Sequence, residues 1–404
     1  MDNFLEKYEW LYKGLNTRFL ADKQHEWIPM EWLEYFNDLP FSDYDKLNGA
    51  SKDLKIFIEN AKKFSLLKDN SCIEVDEEKK MLHKSIFNKG IKEKKASEIL
   101  DMAYLVSTYC KKYNITRVVD VGCGVGHLLR SISLFSPELK CIGVECDEVL
   151  CSKVKEKSKD IEVFKLKLDS SCNKDILQEI FSPPEFSTVI LSLHGCGDLQ
   201  KTIIDIYLSL DKDKNPLLIT IGCCYHKMKV FNENLTENIK WTPTSLRLAC
   251  QERISRFFTF SNDDHRRHIE SFLNRAKLEC LYDFIGIDRH DLSRSDARRI
   301  KFDEIKSIDD IKKSIKNIDK ISDIDKNIFN DKLIEIYKSG ENIKHYIEPF
   351  TMLQYYMQAV LETKLLTSRI EYIKSNMENI NVKLIPISDS ISSPRNMAIV
   401  ARKK

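Results

Sequence analysis

The 404-residue sequence has almost no net charge, no long apolar run and no internal repeat. Lysine and arginine number 64 against 62 aspartates and glutamates. That balance excludes a generally basic coat for nucleic acid, although it leaves a local patch open. No apolar stretch approaches the ~20 residues that a membrane helix needs, so no membrane partner is expected. The opening Met1-Asp2-Asn3-Phe4-Leu5-Glu6 lacks a basic region followed by an apolar one, and no signal peptide is expected. Cysteine, by contrast, is plentiful at twelve residues. The setting is not that of a small secreted scaffold, and Cys110 and Cys141 fall inside apolar patterns. Reduced thiols in a soluble cytoplasmic or nuclear protein are therefore expected. An apolar fraction of 42% and a charged fraction of 31% describe a globular chain, with length for roughly two or three structural units.

The strongest local pattern spans residues 117–147. Val118, Val119 and Val121 make the β-branched run of a strand covered on both faces. Gly122, Gly124 and Gly126 follow at alternate positions around Cys123, where the backbone must turn tightly and admit a ligand. Leu128, Leu129, Ile132 and Phe135 recur at helical spacing until Pro137 breaks the run. Cys141, Ile142, Gly143 and Val144 make a second strand, with Glu145 and Cys146 at its carboxyl end. Open parallel sheets bind their ligands at that end.

A strand, a glycine turn and an acid about twenty residues on describe a nucleoside cofactor site, with Glu145 accepting from ribose hydroxyls. The glycine spelling separates the cofactors. Dinucleotide folds favour G-x-G-x-x-G, whereas this chain has D-x-G-x-G-x-G with Asp120 two residues before the first glycine. An acid there repels a pyrophosphate and suits an ammonium group. S-adenosylmethionine carries that ammonium, with a carboxylate that a helix N-terminus favours. A nucleotide-dependent oxidoreductase is the disfavoured alternative.

The remaining chain extends this pattern. Residues 1–110 read as a helical N-terminal cap, with Trp10, Trp27 and Trp32 as aromatic anchors and Pro29 at a helix start. The cationic run at Lys89–Lys95 reads as a solvated helix face or a phosphate contact. Residues 111–230 read as the cofactor-binding core. Its third strand is expected at Val163, Phe164, Leu166 and Leu168, ended by Asp169, which would accept from an adenine amino group. The fourth runs from Ser187 to Leu193 and ends in His194-Gly195-Cys196-Gly197-Asp198. The fifth, Leu217 to Ile221, ends in Gly222-Cys223-Cys224-Tyr225-His226. Residues 231–375 read as a large helical insertion, exposed over 304–335. Ten of the sixteen arginines lie between Arg247 and Arg299, which suits either a phosphate-facing surface or salt-bridged helix faces. Residues 376–404 read as a hairpin of Val382–Pro386 and Met397–Ala401 returning to the sheet. The expected fold class is α/β: a Rossmann-like class I methyltransferase sheet of seven strands with an antiparallel terminal strand.

The residues ending the strands should face one crevice. His194 is either the base that takes a proton during methyl transfer or an imidazole that holds its loop. Asp198 is a candidate catalyst or the N-cap of the next helix. Cys223 and Cys224 are a nucleophile or small residues lining an adenine pocket, with Cys196, Tyr225 and His226 on the same substrate side. His194 and Cys196 with Cys223, Cys224 and His226 have the ligand types of a zinc site. Their spacing matches no zinc module and adjacent Cys–Cys ligation is awkward, so no metal is expected.

The sequence resembles the methyltransferase-like protein 25 family, which includes a member named for a ribosomal RNA adenine dimethylase domain. The likeness lies in Leu193-His194-Gly195-Cys196-Gly197-Asp198-Leu199, Gly222-Cys223-Cys224-Tyr225, Arg247-Leu248-Ala249-Cys250 and Ser393-Pro394-Arg395-Asn396. Pro29-x-x-Trp32 and Lys94-Lys95-x-x-Glu98-Ile99 extend it over nearly the whole chain. Glu93 and Ser97 depart from the family, which tends to have proline and histidine there, so that segment receives no catalytic role. The H-x-C-G and C-C-x-H stretches are also similar to those of the tRNA acceptor-stem 2′-O-methyltransferases, which implies RNA (tRNA or rRNA) as substrate. A protein methyltransferase and a catalytically silent S-adenosylmethionine-binding protein are the alternatives. No feature of the sequence fixes an oligomeric state.

Overall fold

The computed structural model describes residues 1–37, 39–87, 91–169, 172–210, 216–229, 241–287, 300–307, 309–311 and 324–403. The expected strands pair into one sheet: β1 (Arg117–Val121), β2 (Lys140–Glu145), β3 (Glu162–Lys165), β4 (Thr188–Gly195), β5 (Leu217–Gly222), β6 (Ile380–Pro386) and β7 (Met397–Lys403). Their order is β3-β2-β1-β4-β5-β7-β6. β1 runs parallel to β2 and β4, while β7 is antiparallel to both its neighbours, β5 and β6. The strand order reverses between β1 and β4, which opens a crevice at their carboxyl ends. This is the Rossmann-like sheet of class I methyltransferases.

Four helices precede β1's own helix: α1 (Asp2–Lys7), α2 (Met30–Asn37), α3 (Lys52–Phe64) and α4 (Glu77–Ile86). α5 (Glu93–Tyr113), α6 (His127–Phe135), α7 (Glu148–Lys157), α8 (Lys174–Phe181) and α9 (Leu199–Ser209) alternate with the parallel strands. α10 (Pro243–Ala249), α11 (Ile254–Phe257), α12 (Asn262–Ile285), α13 (Lys326–Ile343) and α14 (Ile347–Asn376) lie between β5 and β6.

Alternation along each strand sends neighbours to opposite layers. Val118, Cys141, Val189 and Leu217 pack with Met102 and Val106 of α5 and Leu129 and Ile132 of α6. Val119, Val121, Ile142 and Ile190 pack instead with Phe181 of α8, Ile203 and Tyr207 of α9 and Leu366 of α14. Each fully buried aliphatic chain contributes about 1.5–3 kcal/mol, so these two layers hold the strand ends in register.

The third strand is shorter than its apolar alternation suggests. It ends at Lys165, opposite Glu145, the last residue of β2. Leu166 N–H still bonds Glu145 O at 2.9 Å, but Leu168 has no strand beside it. Asp169 therefore stands four residues past the strand, exposed, rather than at its end.

The chain divides into two compact units, each drawn from several segments. Met1–Asp2, Phe64–Ser255 and Gln358–Lys404 form the first, which holds the sheet, and Asn3–Lys63 with Arg256–Met357 form the second. The anticipated partition was into four consecutive segments, a different kind of division. Within the second unit, Trp32 packs against Phe57 with ring centroids 5.4 Å apart, and Tyr8 meets Phe57 edge-on at 4.8 Å. Ile305, Ile311 and Phe329 are buried there with Leu281 and Ile285, so the 304–335 stretch is only partly the exposed insertion expected. Part of the described arginine cluster is ion-paired. Arg266 and Arg267 bridge Asp263 and Asp264 on α12, which is the salt-bridged reading. Arg289, Arg294, Arg298 and Arg299 lie outside the described residues.

Gly143, in the middle of β2, leaves room for Cys123 of the glycine turn. A Cβ at Gly143 would come 2.6 Å from Cys123 Sγ and 3.4 Å from Leu129 Cδ1. Gly143→Ala should destabilise the protein by about 1–3 kcal/mol in a urea melt. Adding Cys123→Ala should recover part of that loss, and a double variant no better than the single one would place the strain elsewhere.

Candidate active site

The first turn is built by backbone that only glycine adopts easily. Gly122, Gly124 and Gly126 have φ of 74°, 58° and 76°, in the left-handed region. Gly122 N–H bonds Val144 O at 2.8 Å and Gly126 N–H bonds Cys123 O at 3.0 Å, which stitches the turn to β2 and onto α6. No side chain caps α6, so its first N–H groups have no capping partner. A Cβ on Gly124 would meet nothing within 4 Å. The turn thus presents bare backbone and open space.

Glu145 closes that turn from β2. Its Oε2 accepts from Gly124 N at 2.9 Å, and its Oε1 accepts from Cys146 N at 2.8 Å and Asp147 N at 3.1 Å. The Cys146 thiol also reaches Oε1 at 3.4 Å, whereas Oε2 accepts one bond, from Gly124, which leaves its second lone pair for a ribose hydroxyl. Cys146 is exposed and contributes its backbone to this cradle.

Asp120 modifies the charge reading made from its position alone. It is buried in β1, and burial, with the Glu145 carboxylate as a second cause, pushes its carboxyl well above the ordinary carboxylate range. Burial thus favours the protonated form in the empty pocket, and a cation beside it would favour ionisation.

The second cluster forms where β4 and β5 end abreast, with Gly195 paired to Gly222. Cys196 Sγ lies 3.0 Å from Cys223 Sγ, and Cys223 Sγ lies 3.7 Å from Cys224 Sγ. The three thiols perturb one another. The Cys223 S–H, with smaller help from Cys224, draws the Cys196 thiol down to about 6. Donation to Cys196 pushes Cys223 up, and burial does the same to Cys224.

His194 projects from the end of β4 with its side chain 45% exposed, and its Nε2 stands 3.5 Å from Glu98 Oε2. Burial raises the Glu98 carboxyl, but its bonds with His194 and Ser393 outweigh that and hold it below its usual range. Glu98 belongs to the segment that received no catalytic role, and only the fold brings it beneath His194. Asp198 stands at the N-cap position of α9 without capping it. Its two oxygens instead accept from Lys229 N at 3.1 and 3.0 Å, so it fastens the turn after β5. Tyr225 is buried, and its hydroxyl donates to Glu362 at 3.2 Å, which takes it off the expected substrate side. His226 Nδ1 meets Cys250 Sγ at 3.2 Å. Sequence reasoning missed Glu98 and Cys250 as site neighbours; their stretches carried family likeness, but nothing local tied them to the strand ends.

Alkylation provides a direct check on the thiol trio. Iodoacetamide labelling followed by peptide mass mapping should find Cys196 modified ahead of Cys223 and Cys224 at neutral pH. Its rate should rise with a midpoint near pH 6, as the value of about 6 requires. A Cys196 rate that climbs only in alkaline solution would contradict the lowered Cys196 thiol.

Known proteins resemble the chain over its central region. Residues 94–230 match the profile of a methyltransferase domain. Methyltransferase-like protein 25 of Homo sapiens is 25% identical over 234 residues, covering 54% of this chain and 37% of that protein. The Mus musculus protein is 23% identical over 232 residues, with the same coverage of 54% and 37%. The chain thus spans little more than a third of the length of these curated relatives. Among solved structures, the plantazolicin methyltransferase BpumL in complex with SAH aligns over 87% of this chain and 97% of its own, at 11% identity and a TM-score of 0.33. DesVI of Streptomyces venezuelae aligns over 37% and 58%, at 16% identity and a TM-score of 0.24. Scores this low add nothing to what the sheet order already establishes. The chain carries a methyltransferase domain in residues 94–230 and, over about half its length, is similar to methyltransferase-like protein 25.

Proposed function

We propose that this chain is an S-adenosylmethionine-dependent methyltransferase whose substrate is RNA. One observation carries the cofactor half: the Glu145 carboxylate bonded to Gly124 N–H at 2.9 Å beside three left-handed glycines and a buried Asp120. Glu145 suits the ribose hydroxyls, the open space at Gly124 suits close approach of a ligand, and Asp120 suits its ammonium group. The uncapped start of α6 favours its carboxylate. Asp169 is assigned to the adenine side, and Cys196, Cys223, Cys224 and His226 to the substrate side, on position alone.

The bound sulfonium supplies an already activated methyl group. What remains for the protein is to align the nucleophile and accept its proton. His194 is the group assigned to accept that proton, because it is exposed at the end of β4 with Glu98 behind its Nε2. A buried carboxylate in that place orients the ring. Asp198 acts by position, since it holds the turn that carries Lys229. The RNA half is supported by the likeness of the His194–Gly197 and Cys223–His226 stretches to RNA 2′-O-methyltransferases.

Methyl transfer from labelled S-adenosylmethionine into extract of cells lacking the enzyme tests both halves. Label should be lost to ribonuclease and survive protease; the reverse would assign a protein substrate. Glu145→Ala should weaken S-adenosylhomocysteine binding about tenfold to a hundredfold, as loss of a charged hydrogen bond implies. His194→Ala should lower kcat by roughly 10²- to 10⁴-fold with binding of the cofactor product unchanged. Asp120→Asn should raise the melting temperature of the empty protein at neutral pH, because a raised carboxyl loses stability as pH climbs above its unfolded value. The same variant should lose cofactor binding. Equal melting and equal binding would remove Asp120 from the site.

A further inference from the structure

We propose that Cys196, Cys223 and Cys224 form a binding site for a single thiophilic d¹⁰ cation, zinc(II), held by three thiolates with one position left open. The three sulfur atoms lie within 4.8 Å of one another, and two of their separations are 3.0 and 3.7 Å. Thiolates bound to zinc at about 2.3 Å in a tetrahedron stand a little under 4 Å apart, so small side-chain rotations convert the trio into a ligand set. The objection that adjacent cysteines ligate awkwardly is met by the fold. Cys223 and Cys224 follow β5, and Cys196 comes to them from the end of the neighbouring β4.

The surroundings look constructed to bring the sulfurs together. Three glycines flank them, each where a side chain would collide. A Cβ on Gly195 would meet Gln200 Cβ at 2.9 Å, and one on Gly197 would meet Lys227 O at 2.9 Å. Gly222 would strike Gln200, Arg369 and Tyr225 together. Gly197 also has φ of 58°, which other residues rarely adopt. The Cys224 carbonyl accepts from Gly197 N at 3.2 Å and Lys227 N at 2.9 Å, locking the two loops to each other. Such rigid strand ends are what a precise ligand set needs.

A purely packing role explains this less well. Cys110, Cys123, Cys141 and Cys151 are the buried cysteines, whereas each of the trio remains partly accessible. A disulfide would satisfy only two of the three sulfurs. Three protein ligands with an open fourth position are the arrangement of zinc sites that also receive water or a substrate atom. Binding would displace the thiol protons as each sulfur coordinates. The cation would then stand at the wall assigned to the substrate, although the proposal does not depend on that assignment.

Cobalt(II) titration of the full chain, purified and kept fully reduced, tests it. One cobalt per chain should bind with sulfur-to-metal charge-transfer absorbance of three thiolates, and added zinc should bleach the band. Cys196→Ser and Cys224→Ser should each reduce the intensity by about a third and weaken binding by at least ~10-fold. Cys72→Ser, at an exposed cysteine outside the cluster, should leave the titration unchanged. Far-ultraviolet circular dichroism and S-adenosylhomocysteine binding on the same samples establish that each variant is folded. Folded, reduced protein that gives no charge-transfer band would overturn the proposal. So would a band that both serine variants retain in full.

Discussion

Two carboxyl groups at the ends of adjacent strands govern the site. Glu145 is satisfied by three backbone N–H groups and fixes the glycine turn. Asp120, buried on β1 beside it, has no such freedom: the low-dielectric interior and its acidic neighbour keep its proton in place. The consequence is a carboxyl that a cationic ligand would help to ionise. A diphosphate would be repelled by the ionised form of Asp120. An ammonium group would stabilise the ionised form and is thereby selected. Specificity for a cationic amino acid tail then comes from a pKa difference, not from a fixed negative surface.

Much of this was legible in the sequence because it is local. Valines, alternate glycines and an acid about twenty residues on lie within one stretch, and turn geometry dictates their identity. The hairpin of β6 and β7 was legible for a similar reason, through alternation and a Ser-Pro-Arg-Asn turn. The end of β3 was not. Leu166 and Leu168 continue the apolar alternation, yet a strand stops where its partner stops, and β2 stops at Glu145. The charge state of Asp120 was equally hidden, because a one-letter acid does not state its burial.

Contacts between distant stretches were the least readable. Glu98 and His194 sit on α5 and β4, and only the shared face of the sheet brings them to 3.5 Å. Asp198 looked like a helix cap from its place before Leu199, but its oxygens are drawn to Lys229 instead. The cysteines of β4 and β5 had ligand chemistry without a module's spacing. Strand pairing through Gly195 and Gly222 supplies the proximity that spacing could not. In each case the missing information was the register of parallel strands, which periodicity does not encode.

The account is tested most directly by calorimetry of S-adenosylhomocysteine binding in buffers of different ionisation enthalpy. Proton release on binding, abolished by Asp120→Asn, is the predicted result. Affinity should strengthen as pH rises, because the empty protein holds the proton that the complex gives up. Binding with no proton exchange, or no binding by folded protein, would contradict it.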